Sequence, residues 1–306
     1  PMRVCAVLLL MAGMSAAAVA EDYRAAKPGE LLQVRLEQLH PTQAVVGYDQ
    51  IYYKLGRFAK EPNKLFDEYC EGNGQGESSK VPKGANLHQP DSFSCQGAVA
   101  SRSSEMKTVV VGPEGKLYLT DGHHTFTTLW EQPEGGAKLQ MWVKVTDNFS
   151  DSADLASFWQ RMQAARKVWL KDGQGQVITP EQIPAQLGLG SLADDPYRAL
   201  VYFTREVAYD KPRSGDVAPE FLEFYWGNWL RGQLNLSEYD LRDKGDYRDA
   251  IAAAAKLMVA LKADSMVGDS GFKAAELGGY SSVDRKEMGK MASKKLPYMV
   301  AYKATR

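Results

Sequence analysis

The sequence predicts an α+β fold: a small sheet built on a hairpin, a helix and a returning strand, followed by a mainly helical C-terminal part. Three observations carry that prediction. Two strand-like runs at 107–111 and 116–120 flank the turn sequence Gly112-Pro113-Glu114-Gly115 and read as a hairpin. Directly after it, Phe126, Leu129 and Trp130 keep the i, i+3, i+4 spacing of a helix face, and residues 139–146 alternate again as a strand. From Ser150 onward the apolar spacing is mostly helical.

The elements follow in chain order. Arg3 precedes an apolar run over residues 4–19, and Ala18 and Ala20 fit an A-x-A cleavage site, the layout of a secretion signal. A spanning helix needs about 20 apolar residues, and this run is shorter. The expectation is cleavage before Glu21, a soluble mature chain of roughly 286 residues, and a periplasmic or secreted location. The organisation expected is therefore a signal peptide over 1–20, an α+β domain over 21–150 and a helical region over 151–306 packed on it.

Leu32-Gln33-Val34-Arg35-Leu36 alternates as a short strand, which His40-Pro41-Thr42 ends. A helix is expected around 50–60, and the Gly-rich stretch that follows, to about residue 98, is expected to be irregular. Cys70 and Cys95 flank that stretch, and an oxidising compartment favours a disulfide between them over two free thiols. A bridge closing such a loop contributes on the order of 3 kcal/mol in the chain-entropy model. After the sheet unit, helices are expected over 151–172, 196–207, 219–234 and 246–262. The last segment, 282–306, reads as a Lys-rich helix and a strand at 298–302.

Charge narrows the partner classes. The chain has 37 basic and 38 acidic residues; without Arg3 the mature balance is −2. Strong duplex binders carry a basic face or a high isoelectric point, so a small phosphorylated molecule or a short nucleic acid is the expected partner rather than long duplex DNA. No second apolar run is long enough to span a membrane.

The chemistry concentrates at Asp121-Gly122-His123-His124-Thr125, where a strand runs into a helix. Asp121 stands at the expected N-cap. The first turn of a helix offers unpaired N–H groups and the positive end of a dipole, which together favour an anion. Gly122 allows close approach, Thr125 adds a hydroxyl, and an imidazole can bond a phosphate or move a proton near neutral pH. Asp121, His123 and His124 are thus the candidate catalytic residues, and Gly122 and Thr125 the first candidates for phosphate binding. An Asp-Gly turn before a helix is also common, and two exposed histidines there can be inert. A metal held by His123, His124 and Asp121 is disfavoured because adjacent helical side chains point about 100° apart; no metal ligands are assigned, and a divalent ion bridged by a bound phosphate stays open. No nucleophile elbow or Walker-type loop occurs. The aromatic cluster Phe221, Phe224, Tyr225, Trp226, Trp229 reads as a buried helix with Arg231 at its tip, and Arg198 and Arg205 are expected on one helix face.

Beyond these local readings, the combination of Asp121-Gly122-His123-His124-Thr125, upstream Leu39-His40-Pro41-Thr42-Gln43 with Val46-Gly47, and downstream Asp195-Pro196-Tyr197-Arg198-Ala199-Leu200 resembles the bacterial family of ParB-like nucleases. Glu223-Phe224-Tyr225-Trp226 and Leu230-Arg231 extend the resemblance over most of the mature chain. It implies an α+β domain of the ParB and sulfiredoxin superfamily whose turn binds phosphate or nucleotide. Free-serine kinases of that superfamily have a similar Asp-Gly-His-His followed by Arg, a place taken here by Thr125, and sulfiredoxins place a reactive Cys where this chain has Gly122 and His123. Neither the Arg-rich turn nor the helix-turn-helix of partition proteins stands out. The expectation is a phosphoester-processing enzyme, nuclease-like, with Arg35, Thr42, Gln43, Lys54, Arg198 and Arg231 as further binding candidates. The alternative is an exported protein that binds phosphate or nucleotide without turnover.

Overall fold

The computed structural model describes residues 21–212 and 218–306. The expected secretion signal lies outside them. Among the described residues no helix is long and apolar enough to cross a membrane.

Strand β1 (Leu31–Arg35) leads to the short strands β2 (Leu39–Pro41) and β3 (Val45–Val46), then helices α1 (Tyr48–Lys60) and α2 (Asn63–Gly72). Next come a small antiparallel pair, β4 (Ser78–Lys80) with β5 (Ser94–Cys95), the hairpin β6 (Thr108–Val111) and β7 (Leu117–Asp121), helix α3 (His123–Glu131) and strand β8 (Gln140–Asn148). Helix α4 (Leu155–Ala164), strand β9 (Ala193–Asp194) and helices α5 (Pro196–Thr204), α6 (Leu222–Arg231), α7 (Lys244–Ala260), α8 (Arg285–Lys294) and α9 (Leu296–Lys303) complete the chain. Five strands form one mixed sheet in the order β1-β8-β6-β7-β2.

The apolar run of β6 is explained by burial on both faces. Val109 and Val111, with Leu117 and Leu119 of β7, join the main core with Phe126 and Leu129 of α3. Val110 and Tyr118 point to the opposite face, which α4 covers with Phe158, Trp159 and Met162. The main core runs on without a break into the C-terminal helices, from Val34 through Ile51 and Trp226 to Met299. The parallel pair β3–β9 also joins the two parts, matching Val45 with Ala193 and Val46 with Asp194.

Four local expectations are corrected. The Gly-rich stretch is not wholly irregular: Leu65, Phe66, Tyr69 and Cys70 give α2 an inward face, and Cys70 is bonded to Cys95 with 5.7 Å between their α-carbons. The helix expected over 151–172 ends at Ala164, and Trp169 instead pairs its backbone with Thr42 and Gln43. Residues 298–302 are helical, because Pro297 opens α9 in its first turn and Met299 packs into the core beside α1. Asp121 is the last residue of β7, not the cap of α3; Gly122 takes that position in a left-handed conformation, φ 117°.

Candidate functional site

Three helix starts meet behind the Asp121–Thr125 turn, at the N-terminal ends of α1, α3 and α5. Gly122 has to be glycine: its φ is strained for other residues, and a Cβ would stand 2.7 Å from Lys107 Cγ. His123 and His124, the first residues of α3, are both buried. Pointing in different directions, they take different partners. The Thr42 N–H donates to His123 Nε2 at 3.1 Å, and the Gly47 N–H donates to His124 Nε2 at 2.9 Å. Gly47 lies so near α5 that a Cβ would fall 2.7 Å from the Ala199 nitrogen.

An Nε2 that accepts a hydrogen bond fixes the tautomer of a neutral imidazole: the proton sits on Nδ1. Burial then holds both rings neutral. It pushes His123 down to about 3, the Arg198 charge adding to the effect and Asp121 opposing it. Burial first, then the Arg198 charge, hold His124 well below the ordinary histidine range. Proton transfer near neutrality through Nε2 does not fit this geometry.

The Arg198 guanidinium completes the site from the first turn of α5, where Asp195 caps the helix. It is 7% exposed, its Nη1 donates to Gln50 Oε1 at 3.0 Å, and the Glu223 carboxylate lies 3.8 Å from its Nη2. Its Nε has no partner among the described residues, and its Nη2 lies 3.5 Å from His124 Nδ1. With the proton on Nδ1, that is donor against donor with no acceptor between them among the described residues. The first-turn N–H groups of α3 likewise have no helical acceptor.

These donors line a cleft of about 710 Å³ with Gly122, Thr125, Asp121, Lys54, Lys107 and Lys211. Crowding by surrounding atoms would raise the Asp121 carboxyl, which stays exposed to solvent, but the charges of Lys107 and Lys211 outweigh it and hold the group ionised below the usual carboxylate range. Lys54 spends its ammonium on Glu68, meeting both carboxylate oxygens at 2.7 Å. No cluster of three or more metal-ligating side chains occurs among the described residues.

The structure brings together Asp121, Gly122, His123, His124, Thr125, Lys54 and Arg198, and leaves the other candidates outside the cleft. Arg35 pairs with Glu37 on β1, and Arg231 binds Asp195 at 2.8 Å over the Tyr197 ring. Gln43 is buried and donates to the Val45 carbonyl. Thr42 donates its hydroxyl to the Leu119 carbonyl and its N–H to His123, so it braces the site from behind. His40 packs on Tyr118 and His88 bonds the Gly135 carbonyl, so neither joins the pair. Arg205, one residue beyond the end of α5, does line the cleft.

Sequence reasoning missed Glu71. It lines the cleft near the end of α2, and crowding by surrounding atoms, then the charge of Glu68, push its carboxyl up to about 7 while it keeps contact with solvent. The one local signal was the i, i+3 spacing of Glu68 and Glu71, inside a stretch read as irregular.

The family model described as "Putative ParB-like nuclease" matches residues 32–232, which takes in every element of this site. Among solved structures, protein Atu1540 from Agrobacterium tumefaciens is similar at 22% identity and a TM-score of 0.50, covering 74% of this chain and 90% of its own. That likeness is one of fold. Among curated proteins no relative matches.

Proposed function

The chain belongs to the family of ParB-like nucleases, and from that premise we propose that its cleft binds the phosphate of a phosphoester at the start of α3 and hydrolyses the ester. One observation supports this best: Arg198 and the His124 Nδ1–H face each other at 3.5 Å with no acceptor between them among the described residues. An oxyanion placed there would accept from both, and the first turn of α3 adds backbone donors and its dipole. Lys107 and Lys211 supply further positive charge at the Asp121 end.

In this reading the histidines hold the substrate and the frame, and the ionised Asp121 takes the proton of the attacking water. The water oxygen bonds to phosphorus as the bond to the leaving oxygen breaks. The chain acts in an oxidising compartment outside the cytoplasm, a location that the Cys70–Cys95 bridge supports.

The test is direct. Purified protein is incubated with single-stranded DNA, RNA, nucleotides and simple phosphodiesters, with and without divalent metal ions, beside Arg198→Ala and Asp121→Asn. Hydrolysis that falls by about 100-fold in Asp121→Asn supports the enzyme, whereas equal rates in all three proteins refute it. Should calorimetry detect phosphate binding that Arg198→Ala abolishes, with no turnover in any protein, the cleft is a binding site only. The pinned, neutral imidazoles favour that second reading over any mechanism in which they carry protons.

A further inference from the structure

We propose that Glu71 is the proton donor to the leaving oxygen of the phosphoester, acting in the same cleft as Asp121; this rests on the hydrolytic reading above. The geometry supports it in three ways. First, Glu71 lines the same cleft as Asp121, Arg198 and the first turn of α3. Second, its carboxyl is denied a cation. Lys54, whose charge bears on it, is bonded to both oxygens of Glu68, and Glu71 makes no ion pair among the described residues. Third, it sits in the last turn of α2, at the negative end of that helix dipole, which favours a protonated carboxyl.

The groups that face it are Glu68 and Asp67 on its own helix, Glu77 beyond it and Lys54 on α1, with Tyr202 of α5 and Arg205 just past that helix on the same wall. Crowding by the surrounding atoms first, then the like charge of Glu68, push the Glu71 carboxyl up to about 7 although it stays exposed to solvent, while Asp121, flanked by Lys107 and Lys211, stays ionised. Two carboxyl groups pushed apart in this way are suited to opposite roles, one giving a proton and the other taking one. The adjacent Cys70 is bonded to Cys95, which ties the end of α2 to the loop that carries Gln96 along the same wall.

The step balances. The water oxygen bonds to phosphorus and its proton passes to Asp121. The bond from phosphorus to the leaving oxygen breaks, and that oxygen keeps the electron pair and receives the Glu71 proton. Exchange with solvent then returns one proton to Glu71 and removes one from Asp121.

The leaving group separates this role from a structural one. An alkoxide needs a proton donor, whereas p-nitrophenolate leaves well without one. Wild-type protein and Glu71→Gln are compared on a methyl phosphodiester of a nucleotide and on its p-nitrophenyl counterpart. General acid catalysis is worth about 10²–10⁴ in rate, so kcat on the alkyl ester should fall at least about 100-fold. On the p-nitrophenyl ester it should fall less than about threefold, and the alkaline limb of the wild-type alkyl-ester profile, near pH 7, should vanish. Phosphate affinity by calorimetry should stay at the wild-type value, which checks that the cleft is intact. Equal losses on both esters, or no loss on either, overturn the assignment of Glu71. A wild type that cleaves neither ester overturns the hydrolytic reading itself and the assignment with it, a result distinguishable because it appears before any variant is made.

Discussion

His123 offers the sharpest test of the site's electrostatics, through the substitution His123→Gln. Glutamine keeps an acceptor for the Thr42 N–H but cannot titrate, so the pair differs chiefly in one protonation equilibrium. In the unfolded chain the imidazole has an ordinary value near 6.5; burial in the folded protein pushes it down to about 3. A histidine with a depressed folded value contributes stability fully above the unfolded value. That contribution is lost as pH falls from about 6.5 toward 3, at about 1.4 kcal/mol per pH unit. Between pH 7.5 and pH 5 the loss is about 2 kcal/mol. Other groups also titrate in this window, and Glu71 and Asp194, each pushed up to about 7, work in the opposite direction. They are common to both proteins and cancel in the difference. Urea unfolding of both proteins at pH 7.5 and pH 5 should therefore show the stability gap shifting by about 2 kcal/mol toward His123→Gln. A gap that stays constant within about 0.5 kcal/mol would mean that His123 protonates freely in the folded state, and the reading of both histidines as neutral braces would fall.

Three further outcomes follow from named contacts. His124→Ala removes a buried ring and leaves the Gly47 N–H without its acceptor, so it should cost about 2–4 kcal/mol in urea unfolding; a surface-like effect below about 0.5 kcal/mol would contradict the contact. Gly122→Ala forces a Cβ to 2.7 Å from Lys107 Cγ at φ 117°, a strain of about 1–3 kcal/mol, and should weaken phosphate binding measured by calorimetry because the first turn of α3 shifts with it. Reducing Cys70–Cys95, which lie 25 positions apart, should lower stability by about 3 kcal/mol, as read by thermal unfolding with and without reductant.

What the sequence revealed and concealed divides along the range of the interactions. The hairpin, α3 and β8 were legible because a period of two, a Gly-Pro turn and helical spacing are all local signals. Helix α2 was hidden: Leu65, Phe66 and Tyr69 do keep helical spacing, but the glycines at 72, 74 and 76 that follow drew the whole stretch into one loop. Residues 298–302 form a short apolar run that fits a strand or a buried helix equally, and packing beside α1 decided it. The site obeys the same division. The Asp121–Thr125 turn was visible as a motif, yet its partners lie far off in sequence, with Gly47 77 positions from His124 and Gln50 148 positions from Arg198. No local pattern reports which of several arginines such contacts will choose, which is why Arg35 and Arg231 stood as equals of Arg198 until the fold separated them.

The two adjacent histidines make sense as a pair once their directions are considered. Successive residues at a helix start diverge by about 100°, which rules against two ligands on one ion and suits two braces on one segment. His123 holds the chain at Thr42 and His124 holds it at Gly47, so both ends of the link from β2 to α1 are fixed to the turn that opens α3. Gly47 in turn sits against Ala199, in the helix turn that carries Arg198. The imidazoles thereby set the position of the guanidinium while presenting their own Nδ1–H groups as donors. A residue type serving as a general base would keep its unprotonated nitrogen free for substrate, and here Nε2 of both rings is taken by a backbone N–H. One that must accept from a backbone N–H on one edge and donate on the other has few alternatives to a neutral histidine, and that requirement accounts for His123-His124 without assigning either ring a proton to transfer.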